Sequence, residues 1–110
     1  PETFAFLREH QLGFCCVDEP RLEGLLPPIA EATSKIAYVR FHGRNAAKWW
    51  KHDHAYERYD YTYAKEELEE WTPKIRQLNE AAEVTFVFAN NHYRGQGIAA
   101  ARQLRLLLQV

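Results

Sequence analysis

The chain has 110 residues, with 14 Lys or Arg against 15 Asp or Glu and only two cysteines. That length makes one modest domain with a real core, and the charge balance excludes a global polyanion-binding signal. No apolar stretch is long enough to span a membrane and no signal peptide is evident, so no membrane association is expected. Cys15 and Cys16 are adjacent inside an apolar run, where neighbours on a strand point to opposite faces and rarely bridge. A reducing, cytoplasmic setting is therefore expected. The chain has no methionine, opens on Pro1-Glu2-Thr3 and ends on Leu106-Leu107-Leu108-Gln109-Val110. Both features lead us to expect residues 1–110 to be a single partial domain, a fragment of something longer.

In chain order, Phe4, Leu7 and Phe6 predict a short amphipathic helix over about 2–11, closed by Gly13. The run Gly13-Phe14-Cys15-Cys16-Val17, ending in Asp18, predicts a first strand. Residues 19–34 read as a long connection broken by Pro20, Gly24 and Pro27-Pro28. A second strand is expected over about 36–42, followed by a polar-aromatic loop over 43–64. Leu68, Trp71, Ile75, Leu78 and Ala82 recur at spacings of three and four, a helical face, and Glu66, Glu67, Glu69 and Glu70 near its start complement the dipole. Pro73 implies either a kink or a new helix capped by Thr72. The third strand, 84–90, is nearly continuous in Val and Phe, as for a strand buried on both faces. A last helix follows Gly95 and Gly97 and is expected to pack through Ile98, Ala101, Leu104, Leu107 and Leu108.

The final strand–helix–strand unit requires parallel strands and a crossover. Three parallel strands covered on one side leave an apolar face and two open edges, which is a poor domain but a good sector of a barrel. The fold class expected is thus α/β, a portion of a TIM-type barrel.

All three strand runs end in chemically capable residues, and parallel strands would align those ends where α/β proteins bind ligands. Alternation along the second strand puts Val39 and Phe41 toward the helices and Tyr38, Arg40 and His42 toward the barrel interior. An arginine there needs a partner, and its fork suits a carboxylate or phosphate. Asp18, taken to share a face with Phe14 and Cys16, is a candidate internal partner. His42 and His92 end different strands and are candidates for acid and base. Asn90 and Asn91 point opposite ways, so one of them would hold a hydroxyl or an oxyanion. Gly95-Gln96-Gly97 opens a helix that could cradle a phosphate, a weak signal.

Asp18, His42 and His92, or His52-Asp53-His54, could approach a metal. No spacing matches a dedicated metal motif and Arg40 and Arg44 would repel a cation, so none is assigned. From Arg40 to Asp60, five Lys or Arg accompany three acids and three histidines. Trp49, Trp50, Tyr56, Tyr59, Tyr61 and Tyr63 crowd the same region. Aromatics beside basic groups can stack sugars or bases, although a long loop also needs its own apolar cluster. Trp49 or Trp50 is the stacking candidate.

The motifs Tyr38-Val39-Arg40-Phe41-His42-Gly43-Arg44-Asn45, Trp49 or Trp50, Tyr59-Asp60-Tyr61-Thr62-Tyr63, Glu67-Leu68 with Trp71, and Phe88-Ala89-Asn90-Asn91-His92 closely resemble the YecE-like family, domain of unknown function 72. The resemblance covers essentially the whole chain. It implies the C-terminal half of a (β/α)8 barrel, about strands six to eight. Two positions depart from the usual pattern: Ala100 stands where asparagine is common, and Ala64 where serine is common, which weakens a helix cap. The family has no settled activity, so the resemblance implies a mouth and not a reaction.

The function expected is an enzyme binding a small anionic or sugar-phosphate-like substrate. Arg40 and Arg44 would hold the anion with Asp18 beside them, His42 and His92 would serve as acid and base, and Asn90 or Asn91 would position a hydroxyl. The alternatives are a nucleic-acid-binding or phosphodiester-processing barrel and a non-catalytic scaffold. The isolated chain is also expected to pair with a second copy to cover its sheet edges. The sequence leaves the cofactor unknown.

Overall fold

The computed structural model describes residues 2–25, 27–54, 57, 59–89 and 95–109. Helix α1 is Glu2–Glu9, β1 Cys15–Asp18, β2 Ile36–Phe41, α2 Ala46–Trp49, α3 Lys65–Ala81, β3 Val84–Ala89 and α4 Gln96–Leu108. The three strands form one sheet in the order β1-β2-β3. Both pairings are parallel, with Asp18 beside Phe41, Tyr38 beside Phe86 and Arg40 beside Phe88. A parallel pair cannot be joined by a hairpin, and α3 supplies the crossover between β2 and β3.

The core lies between one face of this sheet and the two long helices. Ala37, Val39 and Phe41 point from β2 toward Leu68, Trp71, Ile75 and Leu78 of α3 and Ala100 and Leu104 of α4. The spacing of three and four along α3 lays these residues in one stripe. The Phe41 ring meets Trp71 at 5.6 Å and Tyr63 at 5.4 Å, both edge to face, the arrangement the ring quadrupoles favour. The connection after β1 lies against Cys16, whose Sγ accepts from Glu31 N at 3.4 Å. Thr33, in the same connection, donates to Leu12 O at 2.6 Å. Cys15 and Cys16 are both free thiols.

Four sequence expectations change. Helix α3 runs through Pro73 without a second start, and the Thr72 hydroxyl donates back to Leu68 O at 3.4 Å instead of capping. Pro73 is on the exposed side, where the carbonyl it leaves without a donor can face water. Among the described residues strand β3 is covered on one face only, and the sheet face opposite the helices is left open. Ile36, Tyr38, Val84, Phe86 and Phe88 are each between 38% and 46% exposed on it. Helix α4 buries Gly97, Ala100 and Leu104 and leaves Ile98 and Ala101 exposed. The small residues allow close approach and rotate the contact stripe by about one position. Finally, the loop after β2 contains the short helix α2, started by Asn45 Oδ1 accepting from Lys48 N at 3.2 Å. Among the described residues no helix is long and apolar enough to cross a membrane.

Candidate functional site

Beyond the carboxyl end of the sheet, β1 and β2 stay paired for one more step: His42 N donates to Asp18 O at 3.0 Å. Alternation then sends side chains to two sides. Asp18 follows Phe41 and Cys16 toward the helices and is fully buried. Arg40 is exposed on the other face.

The helix side is a saturated polar cluster. Arg44 donates to Asp18 through Nε to Oδ2 and Nη2 to Oδ1, both at 2.9 Å. Tyr63 Oη donates to Oδ2 at 2.7 Å and Trp71 Nε1 to Oδ1 at 2.8 Å. Arg21 adds weaker contacts at 3.4 Å. Burial alone would push the Asp18 carboxyl up, but these hydrogen bonds and the Arg44 charge outweigh it and hold the carboxyl below its ordinary range. Arg44 reaches further, to Glu67 at 3.3 Å and Glu70 at 3.1 Å. Burial opposes its charge, yet the carboxylates leave it more firmly protonated than usual. Tyr61 donates to Glu67 at 2.5 Å, and burial together with that carboxylate pushes its hydroxyl up to about 12.

Gly43 sits where this cluster meets the loop. Its N–H donates to Tyr63 Oη at 2.8 Å. Its φ is +96°, and a Cβ there would stand 2.9 Å from Tyr61 Cβ, so both conformation and space demand glycine. The Ala64 departure is compensated nearby: Glu67 Oε1 accepts from Ala64 N at 2.9 Å, half of a capping box without its serine.

The expected Asp18–Arg40 pair is therefore not formed, because the two side chains leave opposite faces of the sheet. Asp18 has Arg44 as its partner, and Arg44 is engaged by three carboxylates while only 15% of its side chain is exposed. Both residues sit behind the open face rather than in it.

The open side carries Glu19, Arg40 and His42. Glu19 Oε1 lies 3.3 Å from His42 Nδ1. The imidazole stacks beside Trp49 with centroids 6.4 Å apart and planes 20° apart, and meets Tyr59 edge to face at 5.8 Å. Its Nε2 is buried and has no hydrogen-bond partner among the described residues. Burial holds the ring below its ordinary pKa, with Arg40 adding to the effect, while Glu19 and Asp18 oppose it. The same Arg40 charge acts on Cys15, whose thiol burial pushes up against it. The sequence pattern does not single out Glu19, because the first apolar run ends at Asp18. Its signal is its place directly after that run.

Trp49 is buried and packs into this cluster, whereas Trp50 is 60% exposed; of the two stacking candidates only Trp50 presents a ring to solvent. The loop around them is braced by side chains. Asn45 Nδ2 donates to Glu57 O at 3.3 Å and Asp60 O at 2.8 Å. Gln96 accepts from Tyr61 N at 2.9 Å and donates to Asp60 Oδ1 at 2.8 Å. Glu57 accepts from the backbone of Asp53 and His54, both at 2.6 Å, and pairs with Lys48 at 3.6 Å. The Gly95-Gln96-Gly97 turn thus holds the aromatic loop through Gln96. His52 Nδ1 lies 3.0 Å from Lys48 O. Among the described residues no group of three or more His, Cys, Asp or Glu could hold a metal. Asn90, Asn91 and His92 lie outside the described residues.

Comparison with known proteins gives the frame for this geometry. The family described as "Protein of unknown function DUF72" matches residues 1–110. The "UPF0759 protein YunF" of Bacillus subtilis (strain 168) is 32% identical over 115 residues, covering 99% of this chain and 41% of that protein. The crystal structure of a DUF72 family protein from Thermotoga maritima MSB8 superposes with a TM-score of 0.91 at 42% identity, covering 100% of this chain and 42% of that one. One from Enterococcus faecalis V583 gives 0.88 at 27% identity, covering 99% and 41%. The chain thus spans about two-fifths of the length of these relatives. With a match along its whole length and a shared backbone, the chain belongs to the DUF72 family.

Proposed function

We propose that this chain forms a C-terminal sector of a (β/α)8 barrel and one wall of a mouth that binds a small phosphorylated or otherwise anionic, hydroxylated substrate. Two features support the barrel. The core helices α3 and α4 pack on one face of a parallel sheet, and the opposite face is an aromatic surface in which Tyr38 lies 5.4 Å from Phe86 and 5.6 Å from Phe88. Such a face is suited to the layered interior of a closed barrel.

The observation that carries the ligand reading is the separation of the two arginines. Arg44 lies behind the sheet among Asp18, Glu67 and Glu70, while Arg40 stands exposed on the face shared with His42 at the carboxyl end of β2. In this reading Arg40 holds the anion and His42 and His92 supply acid and base. Asn90 or Asn91 positions a hydroxyl, and Asp18 and Arg44 fix the strand ends from behind. The test is thermal denaturation of the intact protein with inorganic phosphate and with ribose 5-phosphate. The expected result is stabilisation by both that Arg40→Ala removes. Equal melting shifts in the wild type and in Arg40→Ala overturn the reading.

A further inference from the structure

The Glu19–His42 pair has a chemical polarity that Arg40 does not share. An ionised carboxylate accepts and never donates, so Glu19 Oε1, 3.3 Å from His42 Nδ1, favours a proton on that nitrogen. In a neutral ring the other nitrogen, Nε2, then carries the lone pair. Nε2 is buried and has no hydrogen-bond partner among the described residues, so its acceptor is unused by them. We propose that Glu19 is the positioning residue that fixes this tautomer, and that Nε2 of His42 recognises a hydroxyl on the ligand. This rests on the reading that Arg40 and His42 face one mouth. The ligand class then narrows to an anion that also carries a hydroxyl donor near its charged group, such as a sugar phosphate or a hydroxy acid. A bare oxyanion satisfies Arg40 but has no hydrogen to offer Nε2.

The geometry holds the ring in one orientation. Glu19 follows β1 directly and His42 follows β2 directly, and the backbone bond from His42 N to Asp18 O sets their register. Trp49 lies flat beside the imidazole and Tyr59 stands against it edge-on, so the ring cannot turn freely about its χ2. The titratable groups around it are Glu19, Arg40 and Asp18. Burial and Arg40 together hold the ring below its ordinary pKa, which favours the neutral form that an acceptor at Nε2 requires. If the bound hydroxyl ionises, its O–H bond breaks, an Nε2–H bond forms, the electron pair stays on oxygen, and the imidazolium faces the Glu19 carboxylate.

Long-range 1H–15N correlation spectra of the intact protein, with His42→Ala for assignment, read the tautomer directly and need no substitution at Glu19. The expected wild-type ring at pH 7 is neutral and protonated on Nδ1, and Glu19→Gln shifts it toward a mixture of tautomers. A wild-type ring protonated on Nε2, or on both nitrogens at pH 7, overturns the proposal. In parallel, Glu19→Gln should weaken ribose 5-phosphate about tenfold, the loss of roughly one hydrogen bond, and leave sulfate, which carries no O–H, unchanged. An equal loss for both ligands also overturns it. Arg40→Ala separates the two ideas: if both ligands still bind there, the anion reading fails, while the tautomer spectrum still decides the role of Glu19.

Discussion

Arg44 meets Asp18 with two parallel hydrogen bonds, Nε to Oδ2 and Nη2 to Oδ1, each 2.9 Å long. The pair joins the last residue of β1 to the residue that follows Gly43, so it clamps the two strand ends on which Glu19 and His42 sit. Tyr63 and Trp71 bring the segment before α3 and α3 itself to the same carboxylate. One buried charge therefore sets the register of four parts of the chain.

Removing that charge should be costly. Asp18→Ala leaves the guanidinium of Arg44, the Tyr63 hydroxyl and the Trp71 indole N–H without their acceptor. Breaking one side of a buried ion pair typically costs about 3–5 kcal/mol. Urea unfolding of the intact protein checks this; a loss below about 1 kcal/mol would show that the cluster relaxes and carries little of the stability.

The same carboxylate predicts an acid limb in the stability profile. Its folded pKa lies below the ordinary value of 3.8, so the unfolded state takes up the proton first. Its contribution is complete above the unfolded pKa and is lost as pH falls through the folded one. Melting temperature should therefore drop as pH falls below about 4, and Asp18→Asn should flatten that part of the curve. An unchanged acid limb in Asp18→Asn would assign it to other carboxylates.

Much of this was legible in the sequence, for reasons that can be stated residue by residue. Period two along β2 placed Val39 and Phe41 inward, and spacings of three and four along α3 placed Leu68, Trp71, Ile75 and Leu78. Both follow from backbone geometry alone. Partner choice was less legible. Arg40 and Arg44 are equivalent in composition, and which one meets Asp18 depends on the face that Asp18 takes, which the parallel register beside Phe41 decides. Glu19 is likewise a residue of ordinary type whose meaning comes from His42 in another strand. The tie between Gln96 and Tyr61 joins residues 35 apart in sequence, and no local pattern encodes it.

That tie supplies the remaining prediction. Gln96 bonds both the backbone N–H of Tyr61 and the side chain of Asp60, so α4 fixes one end of the loop whose other side bears Trp49 and Tyr59. Gln96→Ala removes two hydrogen bonds at a half-buried site, on the order of 1–3 kcal/mol. Because the core contacts of α3 and α4 are untouched, the loss should fall on local opening rather than on the whole fold. Limited trypsin digestion reads it: cleavage after Lys48 and Lys51, both exposed in the loop, should be faster in Gln96→Ala, while the global melting temperature changes little. Asn45→Ala, which frees the carbonyls of Glu57 and Asp60 from the other side, should act in the same direction. If Gln96→Ala leaves cleavage unchanged, the loop holds itself through Asn45 and its aromatic cluster, and α4 has no part in placing the wall beside His42.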